Sequence, residues 1–114
     1  MNEEFWNAID KLLKESEIVI DRPKGSVHPR YPGFLYKVDY GYLKDTSSMD
    51  GGGIDIWKGT ALEQKADAII CIVDLLKRDS EIKILIGCTE EENKVIYKTH
   101  NETEYMKGIM IQRS

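Results

Sequence analysis

The stretch YKVDYGYLKDTSSMDGGGIDIW, residues 36–57, decides the fold predicted for this chain. Its aromatic first part predicts short strands at 34–37 and 39–43, and IDIWK, residues 54–58, predicts another. The loop before IDIWK ends in three successive glycines, which permit a tight reversal because glycine accepts positive φ. We therefore expect strands separated by a loop that can bring distant side chains together.

The flanking sequence predicts a helix near each end and several more strands. Apolar residues recur at helical spacing within residues 2–15, with Glu and Lys between them. The segment Thr89-Glu90-Glu91-Glu92 has the form of a capping box, so we expect a helix from there to Thr99. Runs rich in apolar residues predict strands at 17–21, 66–76, 82–88 and 106–113.

These elements predict an α+β fold in a single domain, residues 1–114. Five or more short strands with a helix near each end favour a small sheet curled into a closed or partly open, OB-like β-barrel. The length suits one domain, and a hydrophobic fraction of 41% is enough for a core. Cys71 and Cys88 lie in apolar contexts without a C-x-x-C spacing, which predicts buried free thiols.

Composition and charge exclude several classes of partner. No apolar run approaches the roughly 20 residues that a membrane span requires, so we expect no membrane insertion. The net charge is −4 with acids and bases mixed along the chain, so we expect no binding to nucleic acid. The amphipathic, acidic first segment does not resemble a secretory signal, and a cytoplasmic location is the expectation.

Asp50 and Asp55 carry the first chemical signal. The glycines between them allow both carboxylates to face one point, and Asp55 lies between Ile54 and Ile56. An unpaired carboxylate on an interior face is costly, and a hard divalent cation such as Mg²⁺ removes that cost. The alternative from pattern alone is a glycine-rich hairpin, with Asp50 in the turn and Asp55 on the solvent face.

A second charged segment, residues 73–83, strengthens the first interpretation. It mixes carboxylates with cations: Asp74, Lys77, Arg78, Asp79, Glu81 and Lys83. Carboxylates that hold metals and cations that hold phosphates are the components of metal-assisted phosphoryl transfer to water. The alternative is an ordinary polar turn between strands.

The central block resembles the signature of the soluble, family I inorganic pyrophosphatases, Tyr-Pro-x-Asn-Tyr-Gly-Tyr-Ile followed by Thr-x-Ser-x-Asp-Gly-Asp-Pro-x-Asp. Ten residues align with it without a gap, nine of them identical and Leu43 in place of the isoleucine: Tyr36, Tyr40, Gly41, Tyr42, Leu43, Thr46, Ser48, Asp50, Gly51 and Asp55. Upstream, IDRPKGS at 20–26 resembles the family's Glu-Ile-Pro-Lys-Gly-Ser strand. Downstream, Asp74 and Asp79 resemble a pair of metal-binding aspartates, and Glu81 with Lys83 resembles an Asp-x-Lys motif.

The resemblance implies a small barrel that hydrolyses pyrophosphate, a small-molecule substrate, with a water activated by several Mg²⁺ ions. It implies Asp50, Asp55 and Asp74 as metal ligands, with Asp79 or Glu81 as a further one. It also implies that Tyr40 and Lys83 bind phosphate. Members of that family often form dimers or hexamers, so a homo-oligomer is left open.

The chain departs from the family at the position of the catalytic base and at the phosphate-binding arginine. Gly52 stands where the family has the aspartate beside the nucleophilic water, which leaves Asp55, Asp39 and His28 as candidate catalytic residues. Lys77 and Arg78 are the candidates to replace the arginine. Arg30, with Tyr31, can stand in for the family's phosphate-binding Lys-Tyr-Glu segment after a one-residue shift. The alternative function is a non-catalytic or altered-specificity barrel that binds a phosphorylated metabolite.

Overall fold

The computed structural model describes residues 2–48 and 51–114, and Asp50 lies outside them. Within these ranges it has two helices and six strands: α1 Glu3–Lys14, β1 Ile18–Arg22, β2 Asp39–Leu43, β3 Ile54–Lys58, β4 Ala66–Asp74, β5 Asp79–Ile86, α2 Glu90–Thr99 and β6 Met106–Gln112. The Asn2 side chain caps α1, and the predicted capping box of Thr89 and Glu92 begins α2.

Two segments differ from the prediction. Residues 34–37 form no strand among the described elements, and Leu35 makes only an isolated bridge to Val27. β5 begins three residues earlier than expected, because the antiparallel pairing with β4 continues to Asp74 opposite Asp79. Polar residues had indicated a turn there, and backbone pairing overrides that local preference.

The strands form one mixed sheet in the order β1-β2-β3-β5-β4-β6. The β3–β5 pair is parallel and the other pairs are antiparallel. The edge strands β1 and β6 do not pair with each other in the described part of the chain, so the sheet stays open. The predicted α+β fold with a partly open barrel is confirmed.

Each face of the sheet carries one helix and one apolar core. The α1 side buries Trp6 and Ile9 of the helix against Leu43, Ile56, Ile69 and Ile84. The α2 side buries Ile96 of the helix against Tyr36, Trp57, Ile70 and Leu85. Because side chains alternate along a strand, polar groups on the α2 side can meet across several strands above one core.

Gly41 lies where β2 passes close to β1. A Cβ atom at this position would overlap the carbonyl oxygen of Val19 on β1. The glycine therefore permits close approach of the two strands. Tyr40 and Tyr42, its neighbours, project together from the opposite face.

Both cysteines are free thiols in the structure, with Cys88 buried and Cys71 half-buried. This confirms the free state expected from their spacing. None of the helices in the described ranges is long and apolar enough to cross a membrane.

Candidate active site

Lys83 is the centre of a buried polar cluster on the α2 side of the sheet. Its Nζ atom donates to the Tyr40 hydroxyl at 2.5 Å, to Asp55 Oδ2 at 2.9 Å and to Glu81 Oε1 at 2.6 Å. A lysine ammonium has three N–H donors, so these contacts satisfy all of them. Only 9% of the Lys83 side chain is exposed, and the ammonium is therefore held in one position.

The strand register explains why these four groups meet. Tyr40 lies on β2 opposite Trp57 of β3, so Asp55 is one pleat further along the same face of β3. The next strand, β5, pairs with β3 in parallel, with Ile56 beside Ile84. Three neighbouring strands thus bring their polar side chains to one place.

The electrostatics of the cluster favour a charged lysine and a neutral tyrosine. Burial opposes the charge of Lys83, but attraction to the carboxylates of Asp55 and Glu81 outweighs burial and raises the pKa of Lys83. Burial raises the pKa of Tyr40. The negative charge of Asp55, which accepts a hydrogen bond from the Tyr40 hydroxyl, also raises this pKa, whereas the positive charge of Lys83 lowers it. The formal charges of the two carboxylates and the ammonium sum to −1.

Aromatic side chains pack against the cluster. The Tyr40 ring contacts Trp57 edge-on, with centroids 4.6 Å apart. Trp57 Nε1 donates to His100 Nε2 at 3.2 Å, and His100 Nδ1 lies 3.4 Å from Met106 Sδ. His100 is 6% exposed, and burial with the nearby charge of Lys83 lowers the pKa of His100 to about 3. The imidazole is therefore neutral in the folded protein.

We expect His100 to make stability fall in acid. Below the ordinary histidine pKa of 6.5 the unfolded chain binds a proton that folded His100 does not bind until about pH 3. The free energy of unfolding should therefore fall by up to about 1.4 kcal/mol per pH unit as pH drops below 6.5. Urea unfolding between about pH 7 and pH 4.5 measures this slope.

The matched variant is His100→Gln, whose amide oxygen can still accept from Trp57 but does not titrate. Its free energy of unfolding should depend less steeply on pH than that of the wild type over the same interval. Parallel pH profiles for the two proteins would contradict the assignment of a buried, neutral His100.

A group of cations lies beside this cluster, around Tyr36 and His28. Arg22 donates to the Tyr36 hydroxyl at 2.7 Å, and its guanidinium lies 5.8 Å from the centre of that ring. Burial and the charges of Arg22, Lys77 and Arg30 lower the pKa of His28. The Tyr36 ring is 5.3 Å from the Tyr40 ring, which joins the cationic group to the Lys83 cluster.

The other predicted site residues lie outside the Lys83 cluster. Asp74 Oδ1 accepts from the backbone N–H groups of Leu76 and Lys77, so it organises the β4–β5 turn. Asp79 lies opposite Asp74 at the start of β5, and Arg78 occupies the turn with a positive φ of 58°.

Asp39 precedes Tyr40 on β2 and therefore projects from the opposite face of the sheet. Its Oδ1 atom accepts from the Lys24 backbone N–H at 2.7 Å. Sequence reasoning missed Arg22, which ends β1 directly before Pro23, one residue beyond the predicted strand 17–21. The sequence signal that could have identified Arg22 was its place directly after the apolar strand segment, because functional residues often lie at strand ends.

Asp55 and Glu81 are the carboxylates of the cluster that could hold a divalent cation. Oxygens of Asp55 and Glu81, from two neighbouring strands, both lie within 2.9 Å of Lys83 Nζ. Mg²⁺ is commonly held by one or two carboxylates together with water and substrate phosphates. Within residues 2–48 and 51–114, no three His, Cys, Asp or Glu side chains converge on a metal-sized site. Binding of Mg²⁺, and of more than one ion, therefore stays a prediction.

Comparison with known proteins identifies the fold. No family profile matches the chain, and no curated protein matches it. It is similar to a solved inorganic phosphatase from Anaplasma phagocytophilum, with a TM-score of 0.55, 11% identity, and 83% of this chain and 81% of that chain covered. An inorganic pyrophosphatase from Neisseria gonorrhoeae gives a TM-score of 0.48 at 14% identity over 81% and 75% of the two chains. This chain has a pyrophosphatase-like fold.

Proposed function

We propose that the chain is a Mg²⁺-dependent hydrolase of inorganic pyrophosphate. The observation that carries this proposal is the convergence of Lys83, Tyr40, Asp55 and Glu81 on one face of a pyrophosphatase-like sheet. Pyrophosphate is almost entirely negative charge, and a fixed ammonium with carboxylate ligands for a cation is the chemistry needed to bind it.

Each residue of the cluster has a proposed role. Asp55 and Glu81 would hold Mg²⁺, which would neutralise substrate charge and lower the pKa of a water. Lys83 is kept protonated, so its charge favours phosphate oxygens, and a phosphate that binds it directly replaces one of the three contacts that Nζ makes within the protein. The neutral Tyr40 hydroxyl donates to Asp55 and accepts from Lys83, and so orients both groups.

Asp55 is also the proposed residue that orients the attacking water. Of the three predicted catalytic residues, Asp39 projects from the other face of the sheet, and His28 lies among the cations Arg22, Lys77 and Arg30. Only Asp55 adjoins Lys83. A group that removes a proton from water must lie within hydrogen-bond reach of it, which favours Asp55.

Phosphate release from pyrophosphate by the purified chain tests this function. We expect release that requires Mg²⁺ and stops when the metal is chelated by EDTA. No release at high protein concentration and several pH values, with the protein folded, would contradict the proposal.

A second candidate is a non-catalytic protein that binds a phosphorylated metabolite. It is favoured by the complete hydrogen bonding of Lys83 within the protein and by Gly52 at the family's aspartate position. Calorimetry with Mg²⁺ and pyrophosphate distinguishes the two. Binding without turnover supports this second candidate, and binding with turnover supports the hydrolase.

A further inference from the structure

The loop from Val27 to Leu35 presents an exposed aromatic surface next to the candidate active site. Tyr31 is 62% exposed, and its ring lies 4.9 Å from the His28 ring. Phe34 contacts the same imidazole edge-on at 6.0 Å. An exposed ring backed by other rings is a surface on which a planar ligand can stack.

Hydrogen bonds hold this loop in one conformation. His28 Nδ1 accepts from the backbone N–H groups of Arg30 and Tyr31, and the Phe34 backbone N–H donates to the Tyr31 carbonyl at 2.8 Å. The His28 backbone N–H donates to the Phe34 carbonyl at 2.9 Å. A ring that is already positioned loses little conformational entropy when a ligand binds.

The same loop carries groups that suit phosphates. Because His28 Nδ1 accepts two hydrogen bonds, the neutral imidazole carries its proton on Nε2, which is a donor. The positive charges of Arg22, Lys77 and Arg30 act on this imidazole. Arginine and lysine side chains in this arrangement favour binding of a polyanion.

The aromatic surface and the Lys83 cluster are joined by a short series of rings. The ring centres of His28 and Tyr36 are 6.3 Å apart, and those of Tyr36 and Tyr40 are 5.3 Å apart. The Tyr40 hydroxyl contacts Lys83. The exposed Tyr31 ring and the cations around His28 therefore lie near the cluster, with the buried Tyr36 ring between them.

We propose that the site accepts nucleoside 5′-diphosphates and triphosphates, with the base stacked on Tyr31 and the phosphates directed toward Lys83. This inference rests on the proposed function and extends its substrate class, because inorganic pyrophosphate has no group that uses the Tyr31 ring. Hydrolysis of a nucleoside diphosphate joins a water oxygen to the terminal phosphorus and breaks its bond to the bridging oxygen. The products are nucleoside monophosphate, phosphate and a proton.

Calorimetry with two non-hydrolysable probes tests the stacking. α,β-Methylene-ADP carries a base and imidodiphosphate does not, and both are titrated with Mg²⁺ into the wild type, Tyr31→Leu and Tyr31→Phe. We expect Tyr31→Leu to weaken binding of the nucleotide analogue roughly 5- to 100-fold. Tyr31→Phe should retain that binding, and imidodiphosphate should bind all three proteins equally.

Two results would overturn the inference: no binding of the nucleotide analogue by the wild type, or equal weakening of both probes in Tyr31→Leu. Phosphate release from ADP and from pyrophosphate separates this inference from the proposed function. Ring-dependent nucleotide binding without release from either compound supports the inference and contradicts hydrolysis. Release from pyrophosphate without ring-dependent nucleotide binding supports hydrolysis and contradicts the inference.

Discussion

Asp55→Asn is expected to lower the rate of Mg²⁺-dependent phosphate release by roughly 100-fold or more. The amide oxygen can still accept from Tyr40 and Lys83, which both contact Asp55 Oδ2, so the local fold should persist. The formal charge of the cluster changes from −1 to 0, and one of its two carboxylate ligands is lost. Initial rates at saturating pyrophosphate and Mg²⁺ measure the effect.

Asp45→Asn is the matched control for this substitution. Asp45 is exposed and has a positive φ of 60°, a conformation that asparagine also tolerates. The control removes the same charge and should keep the wild-type rate. Equal rates in Asp55→Asn and Asp45→Asn would show that Asp55 has no part in the reaction.

Lys83→Met is expected to lower the free energy of unfolding by about 3 kcal/mol. The substitution leaves Asp55 and Glu81, whose side chains are 26% and 14% exposed, facing each other without their shared cation. Loss of one member of a buried ionic group costs more than the group itself contributes, because the remaining charges stay desolvated. Denaturant unfolding in the absence of divalent ions measures this cost.

The same variant also tests whether the two carboxylates can hold Mg²⁺. With the ammonium gone, Mg²⁺ should raise the melting temperature of Lys83→Met more than that of the wild type. Lys94→Met is the control, because Lys94 is exposed and its ion pair with Glu91 is worth less than about 1 kcal/mol. Equal stability of the two variants, with the same response to Mg²⁺, would contradict a buried cation at Lys83.

Much of the fold could be predicted because the sequence carries local signals. Period-two alternation marked β3, apolar runs marked β4 and β5, and the capping box marked the start of α2. The early start of β5 could not be predicted in this way. It depends on pairing with β4, which a polar sequence at Asp79, Ser80 and Glu81 conceals.

The candidate site was predictable in part. The resemblance identified Tyr40, Asp55 and Lys83, which the structure brings together. It left Asp79 and Glu81 as alternatives, and it is Glu81 whose carboxylate contacts Lys83. Asp79, Glu81 and Lys83 lie on the same face of β5, and Glu81 is the nearer of the two carboxylates to Lys83 along the strand. The sequence did not show this, because it did not predict that β5 begins at Asp79.

Contacts between distant segments carried no sequence signal. Arg22 contacts Tyr36 across the loop that follows β1. Trp57 on β3 donates a hydrogen bond to His100 at the end of α2, 43 residues later in the chain. Neither pair belongs to a motif of fixed spacing. Their geometry follows from packing against the core on the α2 side, which sequence periodicity does not specify.

The central claim is that Asp55, Glu81, Lys83 and Tyr40 form the site that binds a phosphoanhydride with a divalent ion. A crystal structure of the chain grown with Mn²⁺ and imidodiphosphate, with anomalous data that locate the manganese, tests this claim most directly. We predict Mn²⁺ bound by the carboxylates of Asp55 and Glu81, and a phosphoryl group beside Lys83. Manganese and imidodiphosphate bound elsewhere, with the Lys83 contacts to both carboxylates intact, would contradict it.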